Sequence, residues 1–112
     1  MTMNEYQALA HRTSRPDLSP EAHLMNGILG LIGEVGECAD LIKKHTYQDG
    51  RDIRTALFDE LGDVLWYIHE IASAEGWNLE DIAEYNVAKL RRRYPQGFDP
   101  ERSLHREEEG NG

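Results

Sequence analysis

The amino-acid sequence predicts an all-α protein, and three observations support this class. Apolar residues recur at helical spacing in four successive segments, stretches rich in Gly, Pro and Asp separate these segments, and none of them alternates apolar and polar residues as a half-buried strand does. A chain of 112 residues can bury one modest core. Because four short helices bury limited area, we expect a four-helix-bundle-like domain that self-association completes.

The first two helices are predicted from local signals. Tyr6 and Leu9 lie at helical spacing, which predicts a short amphipathic helix over residues 3–12. After the breaker segment SRPDLSP, Ser19 can cap a second helix, and Pro20 suits its first position because the missing N–H would have no intrahelical partner there. We expect this second helix over residues 20–45.

The third and fourth helices follow from their apolar stripes. The third is predicted over residues 53–75, and its apolar stripe consists of Leu57, Leu61, Val64, Leu65, Ile68, Ile71 and Ala72. The fourth should follow Asn78 and end near Arg93, and its inward line consists of Leu79, Ile82, Asn86 and Leu90. Residues 99–112 are expected to form an acidic, flexible tail after a single domain of residues 1–98.

The charge and the cysteine content restrict the classes of partner. A net charge of -9 argues against a nucleic-acid polymer, which usually requires a basic face, so an anionic ligand would need a metal ion or local cations. The single cysteine, Cys38, cannot form an intramolecular disulfide, and no apolar run approaches the roughly 18 residues that span a bilayer. The first residues also lack a secretory signal pattern, so we expect a cytoplasmic protein without a membrane partner.

Two matched acidic pairs lie at the borders of apolar helical arcs. In GEVGECADLI, on the second helix, the pair is Glu34 and Glu37. In DELGDVLWYI, on the third helix, the pair is Glu60 and Asp63. At about 100° per residue, the two acids of each pair project within about 60° of each other. If the two borders face each other in an antiparallel helix pair, four carboxylates converge.

Four converging carboxylates predict a cation site. They cannot all stay ionised in a partly desolvated cleft unless a cation cancels their charge. Because every ligand would be an oxygen, the pattern favours Mg²⁺, with Mn²⁺ as an alternative. Either pair alone would indicate a solvated helix face, so the interpretation depends on the match between the two. No Glu-x-x-His occurs, which argues against a dinuclear iron bundle.

Glycines at every third position interrupt the second helix, at Gly27, Gly30, Gly33 and Gly36. Each costs roughly 1 kcal/mol against alanine in a helix interior, so they predict that a neighbouring helix or a ligand approaches closely.

The other polar candidates have plain interpretations. The five histidines (His11, His23, His45, His69 and His105) show no metal-ligand spacing, and we expect all of them at the surface. Trp66 and His69 mark the face of the third helix that should contact solvent. Asn86 lies on the inward line of the fourth helix and needs a partner, which can be another helix or a ligand.

Three segments in this order resemble the MazG-like group of all-α nucleoside triphosphate pyrophosphohydrolases, which is related to the dimeric dUTPases. They are GLIGEVGECADLIKK, DELGDVLWYI and NVAKLRRRYPQGF, and the resemblance spans most of residues 5–98. It implies a MazG-type fold that forms dimers or tetramers. It also implies hydrolysis of a nucleoside triphosphate between the α- and β-phosphates, which yields a nucleoside monophosphate and pyrophosphate.

The resemblance also implies roles for individual residues. Its acid motifs hold Mg²⁺, which gives ligand roles to Glu34, Glu37, Glu60 and Asp63. Glu34 and Glu37 are the candidate catalytic residues, with Glu34 as the candidate general base. Asn86 and Lys89 match the substrate-contacting asparagine and lysine, and Lys44 is a weaker candidate for the phosphates.

One position departs from the family pattern. The first motif usually reads E-E-x-x-E, and Gly33 occupies its leading position here. An acidic ligand is therefore missing, and the number of metal ions stays open. Two alternatives stand beside hydrolysis, namely a non-catalytic helical interaction module and a protein that binds nucleotide without turnover.

Overall fold

The computed structural model describes residues 1–104 and contains five helices. They are α1 (Met3–His11), α2 (Pro20–Tyr47), α3 (Arg54–Ala74), α4 (Leu79–Arg93) and α5 (Pro100–Leu104). Residues 1–104 contain no β-strand, so the all-α prediction is confirmed. None of the described helices carries an apolar stretch long enough to cross a bilayer.

The predicted starts of α1 and α2 are correct, and a side-chain cap is present at each of them. The Ser19 hydroxyl accepts a hydrogen bond from the Ala22 N–H at 3.2 Å, and Pro20 is the first residue of α2. Thr2 and Glu5 form a reciprocal capping box at the start of α1, with N···O distances of 3.0 and 3.1 Å. The ends of α1, α2 and α3 differ from the prediction by one or two residues only.

The chain divides into two compact units, and the first, Met1–Asn78, is built on α2 and α3. These helices run antiparallel, since Gly27 lies against Ile71 while Gly30 lies against Tyr67. A Cβ on Gly27 would lie 2.7 Å from the Ile71 side chain, and one on Gly30 would overlap the Tyr67 ring. The predicted close approach is therefore confirmed at these two glycines.

The remaining two glycines of the series do not take part in this contact. A Cβ on Gly33 or Gly36 would meet nothing within 4 Å. The prediction of a steric need is thus wrong for Gly33 and Gly36 in the single chain, because the period of three carries them away from the α2–α3 contact.

Helix α1 covers the face of α3 that was expected to contact solvent. Trp66 Nε1 donates to the Thr13 hydroxyl at 2.8 Å, and Gln7 Nε2 donates to the Ser73 hydroxyl at 3.0 Å. His69, on the same face, is 0% exposed. The predicted solvent face is therefore wrong, because α1 and the turn after it pack there.

Several residues of the apolar stripe of α3 are exposed in the single chain. Ala72 is buried, whereas Leu61, Leu65 and Ile68 are exposed in the single chain. The single chain therefore leaves part of the apolar stripe uncovered. The α2–α3 contact buries only one side of a stripe that is wider than the partner helix.

The second unit begins at Leu79, and its described part contains α4 and α5. The Arg102 guanidinium donates to the backbone carbonyls of Arg92 and Arg93, which links α5 to the end of α4. The predicted single domain of residues 1–98 stays a prediction.

Helix α5 falls in the segment predicted to be a flexible tail. Asp99 Oδ1 accepts the Glu101 N–H at 2.9 Å, and Pro100 is the first helical residue. A polar cap followed by proline also begins α2, at Ser19 and Pro20. The flexible tail over residues 99–112 stays a prediction. Residues 105–112, the rest of the predicted tail, lie outside the described residues.

Candidate metal centre

Three carboxylates from α2 and α3 converge in the first unit. Glu34, Glu60 and Asp63 each place one carboxylate oxygen within 4.8 Å of the other two, and we call this set the acid cluster. Glu34 and Glu60 are half-buried, and Asp63 is exposed. The antiparallel packing of α2 and α3 therefore brings together three of the four acids predicted as ligands.

The Glu60 carboxylate is the member of the acid cluster with a buried oxygen that lacks a partner among the described residues. Its Oε2 atom is buried and has no hydrogen-bond partner in the described part of the chain. The neighbouring Glu34 carboxylate and, next, burial raise the pKa of Glu60 above its usual range. A buried carboxylate oxygen without a partner is rare in native proteins, so this atom indicates that a cation or a proton belongs there.

Glu37 is the predicted ligand that the structure does not bring into the acid cluster. It is exposed and lies one helical turn beyond Glu34 on α2. Its role as a ligand stays a prediction.

A cavity of about 370 Å³ opens beside the acid cluster. Glu34, Asp63, Trp66 and Tyr67 line it, so carboxylates and aromatic rings share one wall. The rings of Trp66 and Tyr67 meet edge to face at 5.1 Å between centroids. Gly30 leaves the space that the Tyr67 ring occupies.

These aromatic residues were not predicted as site residues. Trp66 and Tyr67 follow Asp63 by three and four positions, which places them on the neighbouring turn of the same helix face. That spacing is the signal that could have found them. Tyr6 of α1 also lies close, since burial and, next, the charge of Asp63 raise its pKa.

The three predicted substrate contacts lie in different environments. Lys44 Nζ pairs with Asp40 one turn earlier on α2, at 2.8 Å. Asn86 and Lys89 lie on α4, in the second unit, where Asn86 is exposed and Lys89 is half-buried. The roles of Asn86 and Lys89 in substrate contact stay predictions.

A second polar cluster lies between α1, α2 and α3. Glu70 is 1% exposed, and its carboxylate accepts hydrogen bonds from the Ser14 hydroxyl at 2.6 Å and from His23 Nδ1 at 3.0 Å. Burial acts to raise the pKa of Glu70, but these two hydrogen bonds and the charge of His23 outweigh it, so the net pKa is lowered. Burial lowers the pKa of His69.

The prediction of surface histidines is therefore wrong at two positions. His23 is half-buried because it donates a hydrogen bond to the buried Glu70 carboxylate. His69 is fully buried because α1 and the turn after it pack on this face of α3. His11 and His45 are exposed as predicted, and His105 lies outside the described residues.

A comparison with protein families identifies the chain. The model of the MazG nucleotide pyrophosphohydrolase domain matches residues 24–98, which is more than half of the sequence. The chain belongs to this family, and the resemblance drawn from its three motifs is confirmed. The matched range includes the whole acid cluster and α4, but not α1.

One curated relative is the Gene 37 protein of Mycobacterium phage L5. It is 37% identical to this chain over 73 residues, and the alignment covers 62% of this chain and 64% of the phage protein. The chain therefore spans less than two thirds of the length of this relative. No solved structure matched the chain.

Proposed function

We propose that the chain is a Mg²⁺-dependent nucleoside triphosphate pyrophosphohydrolase that converts a (deoxy)nucleoside triphosphate to the monophosphate and pyrophosphate. The observation that carries this proposal is the acid cluster in a member of the MazG family. The buried, unpartnered Oε2 of Glu60 makes a solvated acidic surface a poor explanation for the cluster.

The donor set fits a hard divalent cation. Glu34, Glu60 and Asp63 offer oxygen atoms only, which suits Mg²⁺ and, second, Mn²⁺. We assign these three residues as ligands and Glu37 as a fourth ligand that acts from the solvent side. When bound, the ion supplies positive charge that offsets the charge developing on the phosphate oxygens.

The carboxylates of α2 are the candidates for accepting a proton from the attacking water. Glu34 lines the cavity and is half-buried, so we assign it as the general base that takes a proton from the attacking water. The water oxygen bonds to the α-phosphorus, and the bond from this phosphorus to the bridging oxygen of pyrophosphate breaks. Glu37, which is exposed, is the second candidate for this role.

Cationic and amide side chains would hold the substrate. We assign Asn86 and Lys89 to substrate contact because they match the family motif on α4. Lys44 is the weaker candidate, since its ammonium group already pairs with Asp40. Trp66 and Tyr67 line the same cavity and can contact the nucleotide.

The wider functional setting also belongs to this proposal. We expect homodimers or homotetramers, a role in removing non-canonical nucleotides, and no nucleic-acid polymer as partner at a net charge of -9. The cytoplasmic location and the lack of a membrane partner stay predictions.

Release of pyrophosphate tests the proposal. The full chain is incubated with Mg²⁺ and a panel of canonical and damaged nucleoside triphosphates. The variant Asp63→Asn should lower the rate by more than about 100-fold, since loss of residues that only orient metal ligands already costs about 10- to 100-fold. Glu75→Gln, which removes an exposed charge at the end of the same helix, is the matched control.

The results separate the proposal from its alternatives. Equal rates for Asp63→Asn and Glu75→Gln, with unchanged helical circular dichroism, would remove the metal-site assignment. A rise in melting temperature with Mg²⁺ and nucleotide, without any product, would instead identify a protein that binds nucleotide without turnover. Gly33 and the exposed Glu37, which leave only three clustered acids, are the observations that favour this second candidate.

A further inference from the structure

We propose that the chain has a second cation site, separate from the acid cluster, in which His11, His69 and Glu70 bind a transition-metal ion such as Zn²⁺. Each of these residues offers one ligand atom within 4.8 Å of the other two. His69 and Glu70 are neighbours on α3, and His11 is the last residue of α1. The proposal does not depend on the pyrophosphohydrolase activity.

The two imidazole groups already stand at a chelating separation. His11 Nδ1 lies 3.2 Å from His69 Nε2. Tetrahedral Zn²⁺ binds its ligands at about 2.0–2.2 Å, which places the donor atoms about 3.3–3.6 Å apart. The separation of the two nitrogens is therefore close to the chelating value. On binding, both rings would rotate so that their lone pairs converge on the ion, and the Glu70 oxygen would shift on the order of 1 Å.

Hydrogen bonds orient the two buried ligands. His69 Nδ1 lies 2.6 Å from the backbone carbonyl oxygen of Trp66, which can only accept, so Nδ1 carries the proton. The lone pair of Nε2 then points toward His11. Glu70 is held by Ser14 and His23, which leaves further lone pairs on its carboxylate. Metal-bound histidines and carboxylates commonly have such supporting hydrogen bonds.

A hydrogen bond between the two histidines would explain the same geometry without an ion. A proton on His11 Nδ1 can be donated to His69 Nε2, and the same 3.2 Å separation would result. An ion that binds here displaces this shared proton and takes both nitrogen lone pairs. The experiment therefore has to distinguish a histidine pair from a chelate.

Access and ligand chemistry both favour a distinct ion. His11 is exposed while His69 and Glu70 are buried, so an ion can enter from the solvent beside His11 and keep an open coordination position. Imidazole ligands select Zn²⁺ and related ions over Mg²⁺, whereas the acid cluster offers oxygen only. The ion would also link α1 to α3.

Metal titration of the full chain tests this site. The protein is treated with a chelator, returned to excess Mg²⁺, and titrated with Zn²⁺ by calorimetry and with Co²⁺ by visible absorption. We expect one equivalent of Zn²⁺ to bind with a micromolar or lower Kd, and Co²⁺ to give the strong visible bands of a four-coordinate ion. His11→Ala should weaken binding at least tenfold and remove these bands, because it removes one of the three ligands at an exposed position.

Two further variants make the result decisive. His45→Ala changes another exposed histidine and should leave Zn²⁺ binding unchanged. Asp63→Asn should also leave it unchanged, because Asp63 belongs to the acid cluster. Absence of Zn²⁺ binding, equal affinity in His11→Ala, or loss of binding in Asp63→Asn would each overturn the proposal.

Discussion

At the scale of single residues, Glu70 shows how one buried carboxylate organises its surroundings. It accepts hydrogen bonds from Ser14, in the turn after α1, and from His23 of α2, while its own helix is α3. A buried charge without partners is costly, so each of these bonds contributes more than an exposed one would. The network therefore joins three segments that are distant in sequence.

Removal of the Ser14 hydroxyl should measure this contribution. Ser14→Ala leaves a buried carboxylate oxygen with one partner fewer, and we expect a loss of about 1.5–3 kcal/mol in the free energy of unfolding. Urea denaturation at one fixed protein concentration measures this value. Thr46→Ala, at an exposed position of α2, should change it by less than about 0.5 kcal/mol. Similar losses in both variants would contradict the role of the Ser14 bond.

At the scale of helices, the α2–α3 contact explains why one glycine is needed and another is not. A Cβ on Gly30 would overlap the Tyr67 ring, while a Cβ on Gly36 would meet nothing within 4 Å. Both are interior positions of the same helix, so the intrinsic gain from alanine is the same. The difference between them is therefore a measure of packing alone.

Alanine at these two glycines should have opposite effects on stability. Gly30→Ala should destabilise by about 1–3 kcal/mol, since it forces the Tyr67 ring or the helices apart. Gly36→Ala should stabilise by up to about 1 kcal/mol through its higher helix propensity. Thermal and urea unfolding of both variants check the signs. Stabilisation by Gly30→Ala would show that the close approach of α2 to Tyr67 is not required.

The residues at which helices begin could be predicted from the sequence, whereas the segments that pack against each helix could not. Ser19 and Pro20 signal a start through groups that are adjacent in sequence, and the same logic applied to Asp99 and Pro100 would have found α5. The burial of His69 depends on where α1 packs, which no periodicity within α3 reports. A helical wheel identifies faces but does not say which segment covers each face.

At the scale of the whole molecule, part of the candidate site was predictable from the sequence and part of it was not. Convergence of Glu34 with Glu60 and Asp63 was predictable because both pairs border apolar arcs of antiparallel helices. The exclusion of Glu37 from the acid cluster was not predictable, because it depends on how α2 and α3 cross. The cluster of His11 with Glu70 joins residues that are far apart in sequence and follow no common spacing, so sequence patterns could not find it.

Exposed apolar side chains along α2 and α3 lead to a prediction about assembly. The stripe consists of Leu29, Ile32 and Val35 on α2 and of Phe58, Leu61 and Leu65 on α3, and exposure reaches 64% at Ile32 and 82% at Phe58. So many exposed large apolar side chains on two neighbouring helices of a small protein are typical of an interface. Burial of this surface between two copies would supply the core that four short helices lack.

The mass in solution tests this prediction. Light scattering after gel filtration should give two or four times 12.8 kDa for the unchanged chain. Ile32→Asp places a charge in the stripe, which costs too much to bury unpaired, so this variant should shift toward the monomer. Tyr47→Asp, at an exposed position at the end of α2, should keep the parent mass. A monomeric parent chain at high micromolar concentration would show that the exposed stripe has another use.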